Sequence, residues 1–391
     1  MVLLIAGGEV YAPEALGRCD VLAGGGRILR VGPDLGGAAR ALDAEVLDAS
    51  GKLVLPGFID QHVHILGGND FHGPNHRTFG MAFRNPVENG VTTLVTLLGG
   101  EHDDRTLHGM IRRAYEFDLL GLTTYAYTGS FALGAPTLTG SVYGDIVTVD
   151  RILGLKIALA EPTGSHPTYH ELARTCGQAY LAGQNTGKAG VIHVHIGRAP
   201  DQLDPLFELV ERSGLPIGAF VVTHVNQSAP NTLEPAIRFA RQGGTIDVTG
   251  IQTSRRQAPG NYDPPDAVLM ILEAGIPLER ITMSSDGNLS TARRDAERRP
   301  LSWYTAGCEF LTREWLAVKD RCNLALPEAL RLITTNVARV LKLEQRKGRI
   351  AAGLDADLVI TDPALAIESV VARGKVLMRD RRVLVDPPFP G

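Results

Sequence analysis

The sequence predicts an α/β fold: a (β/α)8 TIM barrel with a small β-sandwich domain formed by both chain ends. Three observations carry this. Over residues 56–343, short apolar strands alternate with stretches of helical period, the pattern of a parallel α/β arrangement. Eight strand candidates fall in that span, which suits a barrel whose active site lies at the C-terminal strand ends. Residues 1–55 and 344–391 read instead as short strands separated by Gly and Pro. Neither end has enough strands to stand alone, so the two are expected to join.

In chain order, the N-terminal strands are expected at residues 3–5, 19–22, 27–31, 45–47 and 52–54, with Gly24-Gly25-Gly26 as a hairpin turn. The barrel strands are expected at 57–63, 91–98, 123–128, 153–158, 191–196, 219–225, 244–248 and 281–285. Between them, residues 203–213 carry an apolar stripe of Leu203, Leu206, Phe207 and Val210, and residues 233–242 read as a further helix. Residues 183–188 superficially suggest a phosphate loop, but the spacing is one residue short and Ala189 replaces the required hydroxyl residue, so a helix end and turn is expected. The charged run 293–299 reads as a solvated loop or lid. Strands resume at 349–350, 357–360, 367–371 and 374–377.

Composition narrows the partners. Of 391 residues, 44% are apolar and 21% charged, as in a globular protein. Lys and Arg number 39 against 43 acidic residues, a formal charge of -4 that supplies no basic footprint for nucleic acid or an anionic membrane. A small molecule is the expected partner. Cys19, Cys176, Cys308 and Cys322 are too scattered for a disulfide framework and are expected to be reduced. The first residues carry a short apolar run without a basic flank, so a cytoplasmic protein is expected.

The chemistry clusters at strand ends. The first barrel strand closes on His62-Val63-His64, and period-two alternation turns both imidazoles to one face, where they can share a cation. His195 closes the fifth strand, His224 the sixth, and Asp286 follows the eighth. These N and O donors converge on one point if the barrel closes. His193 shares the face of His195; His195 is nearer the mouth and is taken as the ligand, His193 as a core residue or a support for the ligands. Lys156 stands inside an apolar strand, where an ammonium must be paired, neutral, chemically modified, or long enough to reach water at the strand margin.

Together, PGFIDQHVH (56–64), the strand-four lysine, the two later histidines and the aspartate after strand eight resemble the amidohydrolase superfamily. Residues 347–359 resemble that family's return into its β-sandwich. More narrowly, PGFIDQHVH, TLTGSV (137–142), THVN (223–226), GGTID (243–247) and SSDGN (284–288) resemble the isoaspartyl dipeptidase family over nearly the whole chain. The resemblance implies two divalent metal ions, expected to be Zn2+. His62, His64 and Asp286 would bind one, His195 and His224 the other, and a carbamylated Lys156 would bridge them. It further implies a metal-bridging hydroxide as nucleophile, Asp286 as general base and then acid, and a homo-oligomer.

The substrate contacts implied by that family are replaced. Phe71 stands where a glutamate would hold an α-amino group, Phe131 where a tyrosine would approach the scissile carbonyl, and Thr163 and Gln227 where two arginines would hold carboxylates; Ser290 matches. Phe, Thr and Gln cannot replace charge-assisted clamps on a zwitterion. The expected activity is therefore hydrolysis of a less charged small-molecule amide, such as a cyclic amide, imide or N-acyl compound. Asp70 and Arg198 stand close enough in sequence to act as substitute charges, which keeps an isoaspartyl dipeptidase as the alternative. A non-catalytic amidohydrolase-like scaffold and a single-metal deaminase are the other classes. The intact ligand set argues against the first, and the strand-four lysine against the second.

Overall fold

The computed structural model describes residues 2–68, 73–102, 104–134, 137–226, 232–250, 260–295, 299–385 and 387. The chain opens with β1 (Val2–Tyr11), β2 (Ala15–Gly24), β3 (Arg27–Gly32), β4 (Glu45–Asp48) and β5 (Leu53–Pro56). β1 runs antiparallel to β2 and parallel to both β4 and β5. Gly25 and Gly26, with φ of 60° and 82°, form the two-residue turn between β2 and β3, where two consecutive positive φ values match the twist of the flanking strands.

The barrel follows: β6 (Phe58–Val63), β7 (Val91–Thr96), β8 (Thr123–Gly129), β9 (Ile152–Leu159), β10 (Val191–Ile196), β11 (Phe220–Thr223), β12 (Thr245–Thr249) and β13 (Ile281–Ser284). All eight are parallel and neighbour one another in strict chain order. Every residue in them except His195 is buried, as expected when helices cover one face and a packed interior the other. The ring closes through Val63 and Gly287: a parallel bridge joins them, and the His64 N–H donates to the Gly287 carbonyl at 2.9 Å.

The floor, at the N-terminal strand ends, is apolar. Ile59, Val95, Leu153, Val191 and Val221 pack with Val337, Ala338 and Leu341. The helix Thr335–Val340 is held there because Ile59 and Met283 donate backbone N–H groups to Ile333 and Leu332 at 2.9 and 3.0 Å. On the flanks, Tyr169–Thr186 begins with a Thr168/Glu171 capping box and ends at Gly187, φ 74°; the glycine-containing run 183–188 is thus a helix end and turn. The helices Asp204–Ser213 and Leu233–Arg241 lie where their apolar stripes put them.

One element departs from the sequence expectation. Arg293 and Arg294 belong to β14 (Leu289–Arg294), which forms an antiparallel hairpin with β15 (Pro300–Ala306), rather than to a loop. Most of β15 is exposed, so the usual alternation of apolar and polar residues is absent. After the barrel, β16 (Leu358–Thr361) pairs with β5 and is followed by β17 (Ile367–Ala372), β18 (Lys375–Arg379) and β19 (Arg382–Val383). Both chain ends therefore share one nine-stranded sheet. A bridge from Arg27 to Asp355 brings the β3 edge against the segment entering β16.

Sheet and barrel are joined by a buried cation. The Lys347 Nζ contacts Asp357 at 2.5 Å, Asp355 at 2.9 Å and the Thr123 hydroxyl of β8 at 2.7 Å. Among the described residues, no helix is long and apolar enough to cross a membrane.

Candidate active site

The barrel seam assembles the donors. His62 and His64 project inward from the end of β6, and Asp286 follows β13 across the closing bond. One Asp286 carboxylate oxygen lies 3.3 Å from Nε2 of both His62 and His64, and the other lies 4.0 Å from Nδ1 of His224. Donor atoms of His62, His224 and Asp286 fall within 4.8 Å of one another. The His195 ring joins this group through His224, with centroids 4.6 Å apart. Lys156 stands in β9 opposite His193 of β10, so the two share the inner face. Gly129 permits this placement: a Cβ there would lie 2.4 Å from the Lys156 carbonyl.

The ligand turns are held in uncommon backbone conformations. His224, Asp286 and Asn288 have φ of 68°, 58° and 74°, the left-handed region that a non-glycine residue occupies only when its surroundings enforce it. The enforcing contacts come from the asparagines that end THVN and SSDGN. Asn226 exchanges hydrogen bonds with the backbone of Thr249. The Asn288 amide donates to the carbonyls of His64 and Phe79 at 2.9 and 3.0 Å.

Electrostatics suit cation binding. Burial, reinforced by the Lys156 charge, holds His62 and His193 well below the ordinary imidazole pKa. His195 is lowered by burial too, against the pull of Glu161. Neutral imidazoles keep the lone pair that a metal needs. His64 Nδ1 is buried with no hydrogen-bond partner among the described residues. Burial also pulls the Lys156 amine down to about 7, with the Asp286 and Asp247 carboxylates acting in opposition. An imidazole and carboxylate set of this kind fits a divalent ion such as zinc.

Several residues beyond the expected ligands take part. His193, left open between core and support, has Nε2 3.0 Å from His62 Nδ1 and stacks on Tyr127. Asp247 lies inside the barrel and accepts four hydrogen bonds, from Gln61 and Thr282 at 2.7 Å each, Thr223 at 2.8 Å and Ser284 at 2.6 Å. Asp60 accepts from the backbone N–H groups of Ser285 and His62, and burial pushes its carboxyl up to about 7. Glu161, just beyond β9, meets His195 Nε2 at 3.4 Å. Burial alone would raise the Glu161 carboxyl, but the His195 hydrogen bond holds it below its usual value. The signal for Asp247 was present: a lone acid in an apolar strand carries the same desolvation cost that drew attention to Lys156. Glu161 had no such signal.

The substrate positions divide. The Phe131 ring packs edge-on against His195, with centroids 4.9 Å apart, and forms an apolar wall there. The Thr163 hydroxyl donates to Glu161 at 3.4 Å, on the carboxylate that also meets His195. Ser290 is buried on β14, opposite Thr305. Phe71 and Gln227, like Asp70, lie outside the described residues.

A closed parallel barrel with histidines and an aspartate converging at its C-terminal mouth defines a metallohydrolase-type architecture, and the chain belongs to the amidohydrolase family, whose sequence profile matches residues 53–378. Among solved structures, it is similar to the β-aspartyl dipeptidase of the thermophilic, keratin-degrading Fervidobacterium islandicum AW-1. In its complex with β-Asp-Leu dipeptide, that enzyme is 33% identical at a TM-score of 0.87, over 100% of this chain and 99% of its own. A D-hydantoinase (dihydropyrimidinase) from Thermus sp. shares the fold at a TM-score of 0.72 and 19% identity, over 98% and 97% of the two chains. Among curated relatives, the adenine deaminase of Paracoccus denitrificans is 26% identical over 99% of this chain. The chain spans only 59% of that relative's length.

Proposed function

We propose that the protein is a binuclear, zinc-dependent hydrolase of an amide C–N bond in a small molecule less charged than an isoaspartyl dipeptide. The observation that carries this reading is the Asp286 carboxylate, 3.3 Å from two buried imidazoles. His62, His64 and Asp286 would hold one ion, His195 and His224 the other, and a carbamylated Lys156 would contact both. Bound divalent ions would supply water acidified towards neutral pH and polarisation of the scissile carbonyl.

The chain's own groups account for the rest. With its pKa near 7, a substantial fraction of Lys156 is free amine at neutral pH. That amine can add to carbon dioxide, forming an N–C bond and losing a proton to become an anionic carbamate. Asp286 accepts a proton as water adds to the carbonyl carbon, then donates it to the nitrogen as the C–N bond breaks. The Phe131 ring, packed against His195, offers no hydroxyl to the carbonyl oxygen.

The whole-chain similarity to a β-aspartyl dipeptidase supports a second reading, cleavage of isoaspartyl dipeptides. A screen of zinc-loaded protein against N-acyl amino acids, cyclic imides, lactams and β-Asp-Leu separates the two. Turnover of the neutral amides with negligible release of leucine is expected; efficient hydrolysis of β-Asp-Leu would overturn the preferred substrate class. Metal analysis is expected to give about two zinc ions per chain. One would indicate a deaminase-like site, and none a scaffold.

A further inference from the structure

At the opposite end of the barrel from the histidines lies a cavity of about 250 Å³, bounded by the starts of β10 and β12 and by the floor helix. Three of its lining side chains are cationic: Arg280 just before β13, Arg339 on the floor helix, and Lys342 just after it. The hydroxyl residues Tyr180 and Thr245 and the amide residue Gln184 complete its polar lining, and none of the described residues that line it is acidic.

The hydrogen bonds given to the three cations run to neutral groups. Arg280 donates to the Gly243 carbonyl at 2.6 Å, Lys342 to the Lys188 carbonyl at 3.2 Å, and Arg339 to the Glu279 carbonyl. A carbonyl satisfies an N–H without cancelling its charge. Burial, and next the Arg280 guanidinium, lower the pKa of half-buried Arg339, and Arg331 adds to this. Glu279 and Glu344 act on Arg339 in the other direction, but neither lines the cavity, and the Glu279 carboxylate lies 4.0 Å from Arg331.

We propose that this cavity binds the phosphate group of a small metabolite, as a second site remote from the hydrolytic centre. Three cations delivered from two chain segments, Arg280 from one and Arg339 with Lys342 from the other, suit a tetrahedral dianion better than a planar carboxylate, which one arginine fork would satisfy. The volume admits a phosphate with a few further atoms but not a folded macromolecular segment. Because the floor helix follows the backbone bonds to Ile59 and Met283, an anion that relieves repulsion at Arg339 also stabilises the strands carrying His62 and Asp286.

Calorimetric and thermal-shift titrations of the metal-loaded enzyme with inorganic phosphate test this, using Arg280→Gln and Lys342→Glu beside the wild type. Lys342 is exposed, so its substitution leaves the fold intact even if loss of Arg280 does not. The expected result is saturable binding and a raised Tm in the wild type, at least tenfold weaker binding in each folded variant, and unchanged amide hydrolysis without phosphate. Absence of saturable binding in the wild type, or equal binding by wild type and Lys342→Glu, would overturn the proposal. The latter result would place phosphate at the metal centre instead.

Discussion

At the scale of single residues, the site depends on which groups stay neutral and which stay charged. Replacing Lys156 by Ala removes the amine whose pKa burial brings to about 7. Amide hydrolysis is expected to vanish and bound zinc to fall below two per chain, with partial recovery in millimolar propionate; full turnover without added carboxylate would refute the bridging role. Glu161 acts through its neighbour, orienting the His195 ring. Glu161→Gln is expected to weaken zinc by roughly 10–100-fold in a chelator competition, an effect that a purely structural role at this half-buried position would not produce. Asp60 gives a pH signature in the metal-free protein. Its folded pKa, about 7, lies above the unfolded value, so its contribution to stability is complete at acidic pH and is lost as pH rises through 7. Asp60→Asn keeps the acceptor oxygen and should flatten that decline between about pH 4 and 7 in urea titrations; an unaltered slope would count against a raised pKa.

At the scale of elements, the joint between sheet and barrel depends on Lys347, which is 1% exposed in its side chain and bound to two aspartates and Thr123. Lys347→Ala leaves those carboxylates buried without their shared cation and is expected to reduce unfolding stability by about 3 kcal/mol; a change under ~1 kcal/mol in urea melts would show that Arg346 compensates. Elements are also where sequence was most and least informative. The barrel strands were legible because short runs rich in apolar and β-branched residues, bounded by helical periods, permit few other arrangements. The strand-end histidines followed, since parity puts His62 and His64 on the same side of their strand. The partners of His193 and the four donors to Asp247 were not legible, because they depend on register between strands far apart in the chain. The β14–β15 hairpin escaped notice for a different reason: most of β15 is exposed, and a strand that buries little carries little pattern.

At the scale of the whole molecule, the proposed ligand set draws on barrel strands from the first to the last in chain order, so metal content and global stability should be coupled. Stripping zinc with a chelator is expected to lower Tm by several degrees and restoration to recover it; a Tm indifferent to metal would argue against a site built from these six residues. The homo-oligomer implied by the family resemblance and the cytoplasmic location expected from the first residues of the sequence are proposals of the same scale, the first open to light scattering. The bond from His64 to the Gly287 carbonyl gives the coupling a temporal meaning. It joins the first barrel strand to the segment after the last, and it sits within two residues of His62 and Asp286. A nascent chain that has completed seven strands still lacks Asp286, and a barrel left open keeps the aspartate away from its histidines. The fold thus contains its own completion test: Asp286 meets His62 and His64 only when the ring is shut, and a partly folded chain lacks the assembled cluster on which the proposed activity rests.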